Sequence, residues 1–308
     1  MEKIYEIQKK DKASYKAALQ ALSSWEFDLL LSPHESLTSA LFARKVKAKT
    51  KIGFRSWWNF AFFGERIRKE KSLPDALRQM SLLQEHDPTL KKQLQDFRRQ
   101  DLEWPRQGKR QLSPVPEWAS PQATFSSSFS SLQEKHQLPA RFICLFPGSV
   151  WKTKQWTEAG FIEVGQKLSQ EGHFILVMGG PGEEELAQRI AQQIPNSKSL
   201  AGQTSLQESL SLLARASVVI TNDSAGQHMA ALVQAATVSI FGPTVLDFGY
   251  RPWNSKAIVV ERKGLGCRPC GKHGHHKCPI GTHECMKSIQ AAEVLKAVHE
   301  WTAPSQSL

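Results

Sequence analysis

Between residues 141 and 241 short apolar runs alternate with longer amphipathic stretches, and each apolar run ends in a turn of small residues. RFICLF (141–146), HFILVM (173–178), SVVIT (217–221) and TVSIF (237–241) are rich in β-branched and aromatic residues and bounded by Gly, Pro, Ser and Asn, the marks of strands. Helical spacing separates them, over 157–170, from GGPG to residue 193, over 205–214 and over 224–234. Such alternation predicts a mostly parallel sheet with helices on both faces. A last amphipathic helix is predicted over 289–301.

Residues 1–137 are less regular. A helix is expected over 14–23, a buried strand at FDLLL (27–31), helical spacing over 34–46, a strand over 51–54 and a helix over 74–84. Pro, Ser and Gln without a sustained period fill 103–135, which reads as an interdomain linker. The expected division is therefore 1–137 and 138–308, two α/β domains each long enough to bury a core.

Charge is uneven: residues 1–110 carry 23 Lys and Arg against 14 Asp and Glu, most of the net +11. A basic half of this kind suits an anionic partner: nucleic acid, a phosphorylated glycolipid or a membrane surface. No recognisable RNA- or DNA-binding module accompanies it, so nucleic acid is not expected. In SWWNFAFFGERIRKEK (56–71), Trp57, Trp58, Phe60, Phe62 and Phe63 precede Arg66, Arg68, Lys69 and Lys71. That order suits an interfacial segment, with a packed core as the competing reading. No apolar run approaches the roughly 20 residues of a membrane span, and the polar start is unlike a secretory signal. The expected location is cytoplasmic, peripheral on the inner leaflet of the inner membrane.

In parallel α/β sheets ligands bind outside the carboxyl ends of the strands. Those ends carry PGS (147–149), GGPG (179–182), NDSAG (222–226) and GPT (242–244), four turns able to line one cleft. In TNDSAGQHMAAL, Asp223 or Ser224 can cap a helix whose first-turn N–H groups then face an anion. Gly226 would let a ligand approach the backbone, and His228 follows Ser224 by one helical turn. A capped helix with a surface histidine is the plainer alternative. In WKTKQW, Lys152 and Lys154 are candidate phosphate cations. There is no GxxxxGK[ST] loop, no GxGxxG after a strand and no DxD pair. Charge on a leaving group would then fall to helix N-termini and lysine, as in a metal-independent transferase without a cofactor.

Cys267-x2-Cys270-x7-Cys278-x6-Cys285 lies in a loop rich in Gly, Lys and His. The spacing admits a structural zinc, with free or redox-labile thiols as the alternative. Cys144, inside an apolar run, reads as core.

FPGS, then KxW at Lys154 and Trp156, then MGGPGE, TNDSAGxxH and FGPT, in this order, resemble the donor half of the heptosyltransferases, glycosyltransferase family nine, over 140–302. Residues 32–54 resemble the acceptor half more weakly. The resemblance implies a GT-B fold, two Rossmann-like α/β/α domains facing a cleft, and inverting transfer from ADP-L-glycero-D-manno-heptose. The implied acceptor is a lipid A-core glycolipid of lipopolysaccharide at the inner membrane surface. Carried onto this chain, the donor-binding set is Ser149, Lys154, Gly179, Gly180, Asp223, Ser224, Ala225, Gly226 and His228, with Lys154 as the catalytic cation. Family members open with a strand, a Gly-Asp turn and a helix, and that aspartate acts as general base; residues 1–15 contain no such turn. The expectation is an incomplete N-terminal domain in which no residue inherits the base. His34 and Glu35 sit at a strand end, although a helix start explains them. Two readings stand beside transfer of heptose: an impaired relative that only binds a nucleotide sugar or glycolipid, and a GT-B transferase of another envelope sugar.

Overall fold

The computed structural model describes Tyr5, Ile7 and residues 11–71, 73–103, 129–254 and 256–302. The chain divides into two compact units, Met1–Arg98 and Arg99–Leu308.

In the first unit three parallel strands, β1 (Phe27–Ser32), β2 (Ala48–Phe54) and β3 (Glu65–Ile67), form a sheet in the order β1-β2-β3. The helix preceding β1, Lys12–Leu22, starts where the Asp11 carboxylate accepts the N–H groups of Ala13 and Ser14. The crossover helix from β1 to β2, Leu37–Lys45, begins later than its spacing suggests, because Ser36 accepts the Ser39 N–H as its N-cap. His34 and Glu35 therefore lie in the loop ahead of it, and Glu35 pairs with Lys69. The aromatic segment divides between two roles. Phe63 is buried with Ala40 and Ala43, and Trp58 and Phe62 pack against them, whereas Trp57 and Phe60 stay 89% and 68% exposed. The start of the basic stretch is β3 itself, an element too short to show a period. Helices Asp75–Met80 and Pro88–Glu103 close a separate cluster of Leu73, Leu77, Leu90, Leu94 and Phe97.

In the second unit six parallel strands follow: β4 (Phe142–Phe146), β5 (Ile175–Val177), β6 (Ser197–Ser199), β7 (Ala216–Asn222), β8 (Thr237–Phe241) and β9 (Ala257–Glu261). Their order is β6-β5-β4-β7-β8-β9, the doubly wound arrangement whose direction reverses between β4 and β7. Alternate residues explain the two helical layers. Ile143 and Leu145 face one core with Phe161, Val164 and Val298. Phe142, Cys144 and Phe146 face the other with Leu210, Leu213 and Ala230.

In this unit two strands escaped the sequence reading, as β3 did in the first. β6 is three polar, half-buried residues at the sheet edge, and β9 lies beyond the last run taken as a strand. The linker reading also needs correction at its end. Residues 129–136 fold as the helix Phe129–His136, because Phe129 and Leu132 enter the second core. Residues 104–128, the middle of the expected linker, lie outside the described residues.

Candidate functional site

Asn222 ends β7 and fastens the neighbouring loops to it. Its Nδ2 donates to the Pro147 carbonyl at 2.8 Å, and its Oδ1 accepts the Trp156 N–H at 2.9 Å. The loop after β4 is thereby drawn over the β4–β7 junction, and a cavity of about 540 Å³ opens there. All nine residues of the expected donor-binding set line it: Ser149, Lys154, Gly179, Gly180, Asp223, Ser224, Ala225, Gly226 and His228. Lys152 does not; it is exposed on the short turn that buries Lys154.

Lys154 is 6% exposed, and its Nζ lies 2.6 Å from Asp223 Oδ2. Asp223, equally buried, also accepts the Thr244 hydroxyl at 2.5 Å and Gln227 Nε2 at 2.9 Å. Three donors explain how a carboxylate is tolerated in the interior. They also correct the capping expectation, since the Asp223 carboxylate is taken up by side-chain donors, Gln227 on the helix among them, and caps no backbone N–H of its first turn. Ser224 occupies the N-cap of helix Ala225–Leu232 but makes no side-chain cap bond; its hydroxyl lies 3.4 Å from that of Thr221. The first turn thus opens onto the cavity without a side-chain acceptor.

Gly226 serves packing rather than open approach. A Cβ there would stand 2.7 Å from Thr221 Oγ1 and 2.8 Å from Phe146 Cγ. At the β5 end, Glu183 Oε2 accepts the Gly180 N–H at 2.8 Å, and a Cβ on Gly148 would collide with the Glu183 carboxylate at 2.0 Å. Trp151, Tyr250 and His273 complete the wall. The ring of His273 stacks on Trp151 at 6.2 Å and meets Tyr250 at 5.6 Å. Tyr250 and His273 had no signal in sequence, since both come from irregular loops far from the glycine turns.

The cysteine loop borders this site. The four thiols of Cys267, Cys270, Cys278 and Cys285 line one small cavity of about 30 Å³ with Thr153, Pro243 and His283. All are free thiols, and among the described residues no group of three or more His, Cys, Asp or Glu is placed so that it could hold a metal ion. Burial pushes Cys285 up to about 11, and burial with the neighbouring Cys278 and Cys267 raises Cys270. Burial also works against the Cys278 thiolate, but the N–H groups of His283, Ile280, Gly281 and Thr282 outweigh it and lower its pKa. Cys144, wholly buried in β4, is held protonated by desolvation, as befits core.

The profile of the family described as glycosyltransferase family 9 (heptosyltransferase) matches residues 16–279. Lipooligosaccharide heptosyltransferase 2 of Campylobacter jejuni is 30% identical over 170 residues, 53% of this chain and 52% of that protein. Lipopolysaccharide heptosyltransferase 2 of Salmonella typhimurium is 28% identical over 156 residues, 47% and 42% of the two chains. The chain spans about half the length of the curated relatives it matches. Among solved structures, E. coli ADP-heptose lps heptosyltransferase II superposes with a TM-score of 0.65 at 20% identity, over 94% of this chain and 80% of that one. E. coli heptosyltransferase WaaC with ADP gives 0.64 at 19% identity, over 94% and 77%. The fold is the parallel α/β GT-B type of these structures.

Proposed function

The chain belongs to glycosyltransferase family 9, and from that premise we propose that it transfers heptose from ADP-heptose to a lipid A-core glycolipid of lipopolysaccharide. Transfer inverts the anomeric carbon and uses no metal ion. The observation that carries this reading is the meeting of buried Lys154 with the uncapped start of helix Ala225–Leu232 in one cavity at the β4–β7 reversal.

An acceptor hydroxyl attacks the anomeric carbon from the face opposite the diphosphate. The new C–O bond forms as the bond to the β-phosphate oxygen breaks, and that oxygen keeps the electron pair. The hydroxyl proton passes to a base. Charge growing on the departing ADP meets Lys154, the Ser149 hydroxyl and the N–H groups of Ala225 and Gly226, with His228 on the same helix. Preorganised donors of this kind are worth roughly 10²–10³ in rate each. The nucleoside rests against Gly179 and Gly180, where a Cβ on Gly180 would meet only the Glu183 carboxylate at 4.0 Å.

The relatives support the substrate class: WaaC forms a complex with ADP, and the Salmonella protein is a lipopolysaccharide heptosyltransferase. Among the described residues no helix is long and apolar enough to cross a membrane. We place the chain at the inner leaflet as a peripheral protein, through the basic first unit. Calorimetry with ADP in EDTA, followed by transfer from ADP-heptose to a lipid A precursor, tests the proposal. Binding that vanishes in EDTA, or transfer only from a different nucleotide sugar, would overturn it.

A further inference from the structure

We infer, building on the nucleotide-sugar reading of this cavity, that Trp151, Tyr250 and His273 form the subsite for the donor's glycosyl residue, with His273 as the side chain that recognises its hydroxyls. Three observations converge on it.

First, the sheet order ranks the cavity walls. The turn after β5 with Gly179 and Gly180, the β4 and β7 ends with Lys154 and Ser224, and the stretches after β8 (Tyr250) and β9 (His273) follow one another along the strand ends. A nucleotide sugar with its nucleoside on the glycines and its diphosphate at Lys154 therefore carries its sugar toward Tyr250 and His273. The wall begins where the lysine ends, since Lys154 Nζ stands 5.8 Å from the centroid of the Tyr250 ring.

Secondly, the chemistry of the wall suits a sugar. A pyranose has an apolar C–H face and a belt of hydroxyls, so aromatic surface with a few polar tips matches both. The rings of Trp151 and His273 are nearly parallel, at 11°, and Tyr250 meets the imidazole at 45°. His273 is exposed at the rim, where one ring nitrogen can donate to a hydroxyl and the other accept from one.

Thirdly, the wall is fixed by the protein itself. Gln227 Nε2 donates to the Asp223 carboxylate at 2.9 Å and to the Tyr250 carbonyl at 2.7 Å, so one side chain ties the partner of Lys154 to the tyrosine. Beside His273, the Thr153 N–H and hydroxyl meet the His275 carbonyl at 3.0 and 2.8 Å. Gly274, at φ +79°, allows that approach: a Cβ there would stand 2.8 Å from Thr153 Oγ1. Side chains carried on a docked backbone lose little freedom when a ligand arrives, as a specificity wall requires.

The test compares ADP with ADP-heptose by calorimetry on the full chain. The ratio of the two affinities reads the sugar subsite and cancels any change shared with the diphosphate. His273→Ala and Tyr250→Leu should each lower that ratio by roughly 3–10-fold, the range of one hydrogen bond or one ring contact, and leave ADP affinity in place. His273→Gln, which keeps a donor and an acceptor, should recover part of the ratio, and Tyr250→Phe, which keeps the ring, most of it. A wall that only props the loop implies a different pattern, in which ADP and ADP-heptose weaken together. That parallel loss, or a ratio that neither substitution lowers, would overturn the inference. Should Tyr250→Leu not fold, the variants of exposed His273 still decide. Wild-type protein that binds neither ligand would instead sink the nucleotide-sugar reading, and this inference with it.

Discussion

The Lys154 ammonium lies 2.6 Å from the Asp223 carboxylate, and both are buried at the end of the same cavity. The lysine is thus held in place before any anion arrives, and its charge is shared with a group already satisfied by Thr244 and Gln227.

Two separable effects are expected from Lys154→Met. Loss of one charge-assisted contact should weaken ADP binding by about 1–3 kcal/mol. Removing one partner of a buried pair also costs about 3–5 kcal/mol of stability, toward the lower end here because Asp223 keeps two donors. Adding Asp223→Asn should recover much of the stability and none of the affinity. Urea unfolding and calorimetry read the two effects, and an unchanged ADP affinity in the single variant would remove Lys154 from the site.

Asn222 holds the loop after β4 through the Pro147 carbonyl and the Trp156 N–H. Asn222→Leu leaves both of those backbone groups unsatisfied in the interior, at about 1–3 kcal/mol for each. The expected result is a lower unfolding midpoint together with weaker ADP binding, since Ser149 and Lys154 lie on that loop. Loss of stability with full affinity would show that the loop is fixed by other means.

His136 gives the second unit a sensitivity to acid. It is buried, its Nε2 has no hydrogen-bond partner, and desolvation, then Lys135 and Lys198, lower its pKa from 6.5. The unfolded chain therefore takes up the proton first. Stability from this residue is full above about 6.5 and is lost as the pH falls through that value toward the lower folded one. Unfolding midpoints at pH 7.5 and 5.5 should differ more in the wild type than in His136→Leu; equal differences would exclude His136 as the source.

Much of the second unit was legible because its strands are buried on both faces and end in glycine turns, so that RFICLF and SVVIT could be read directly. The cavity was legible for the same reason, as its small-residue turns mark strand ends. Tyr250 and His273 were not, because irregular loops carry no period and their place depends on tertiary docking. β6 failed for want of length: Ser197–Ser199 has no room to alternate. In the first unit the aromatic run concealed two environments, since Trp58 and Phe62 pack on the Phe63 cluster whereas Trp57 and Phe60, a residue or two away, stay exposed.

That division makes the membrane proposal testable at single residues. Trp57 and Phe60 are exposed, whereas Trp58 packs on the cluster of Ala40, Ala43 and Phe63. Arg66 on β3 and Arg68 just after it are exposed on either side of buried Ile67, so both guanidinium groups are available to lipid phosphates. Trp57→Ser with Phe60→Ser should lower binding to anionic vesicles and leave the unfolding midpoint in place, because neither ring contributes to a core. Trp58→Ser should instead lower the midpoint. Replacing Arg66 and Arg68 by Gln should weaken vesicle binding by about 1 kcal/mol for each charge, and salt should erase the difference. Sedimentation with vesicles of anionic and of neutral lipid measures both. If the Trp57 and Phe60 pair changes nothing on anionic vesicles, or binding ignores lipid charge, the first unit does not dock on a membrane through this segment.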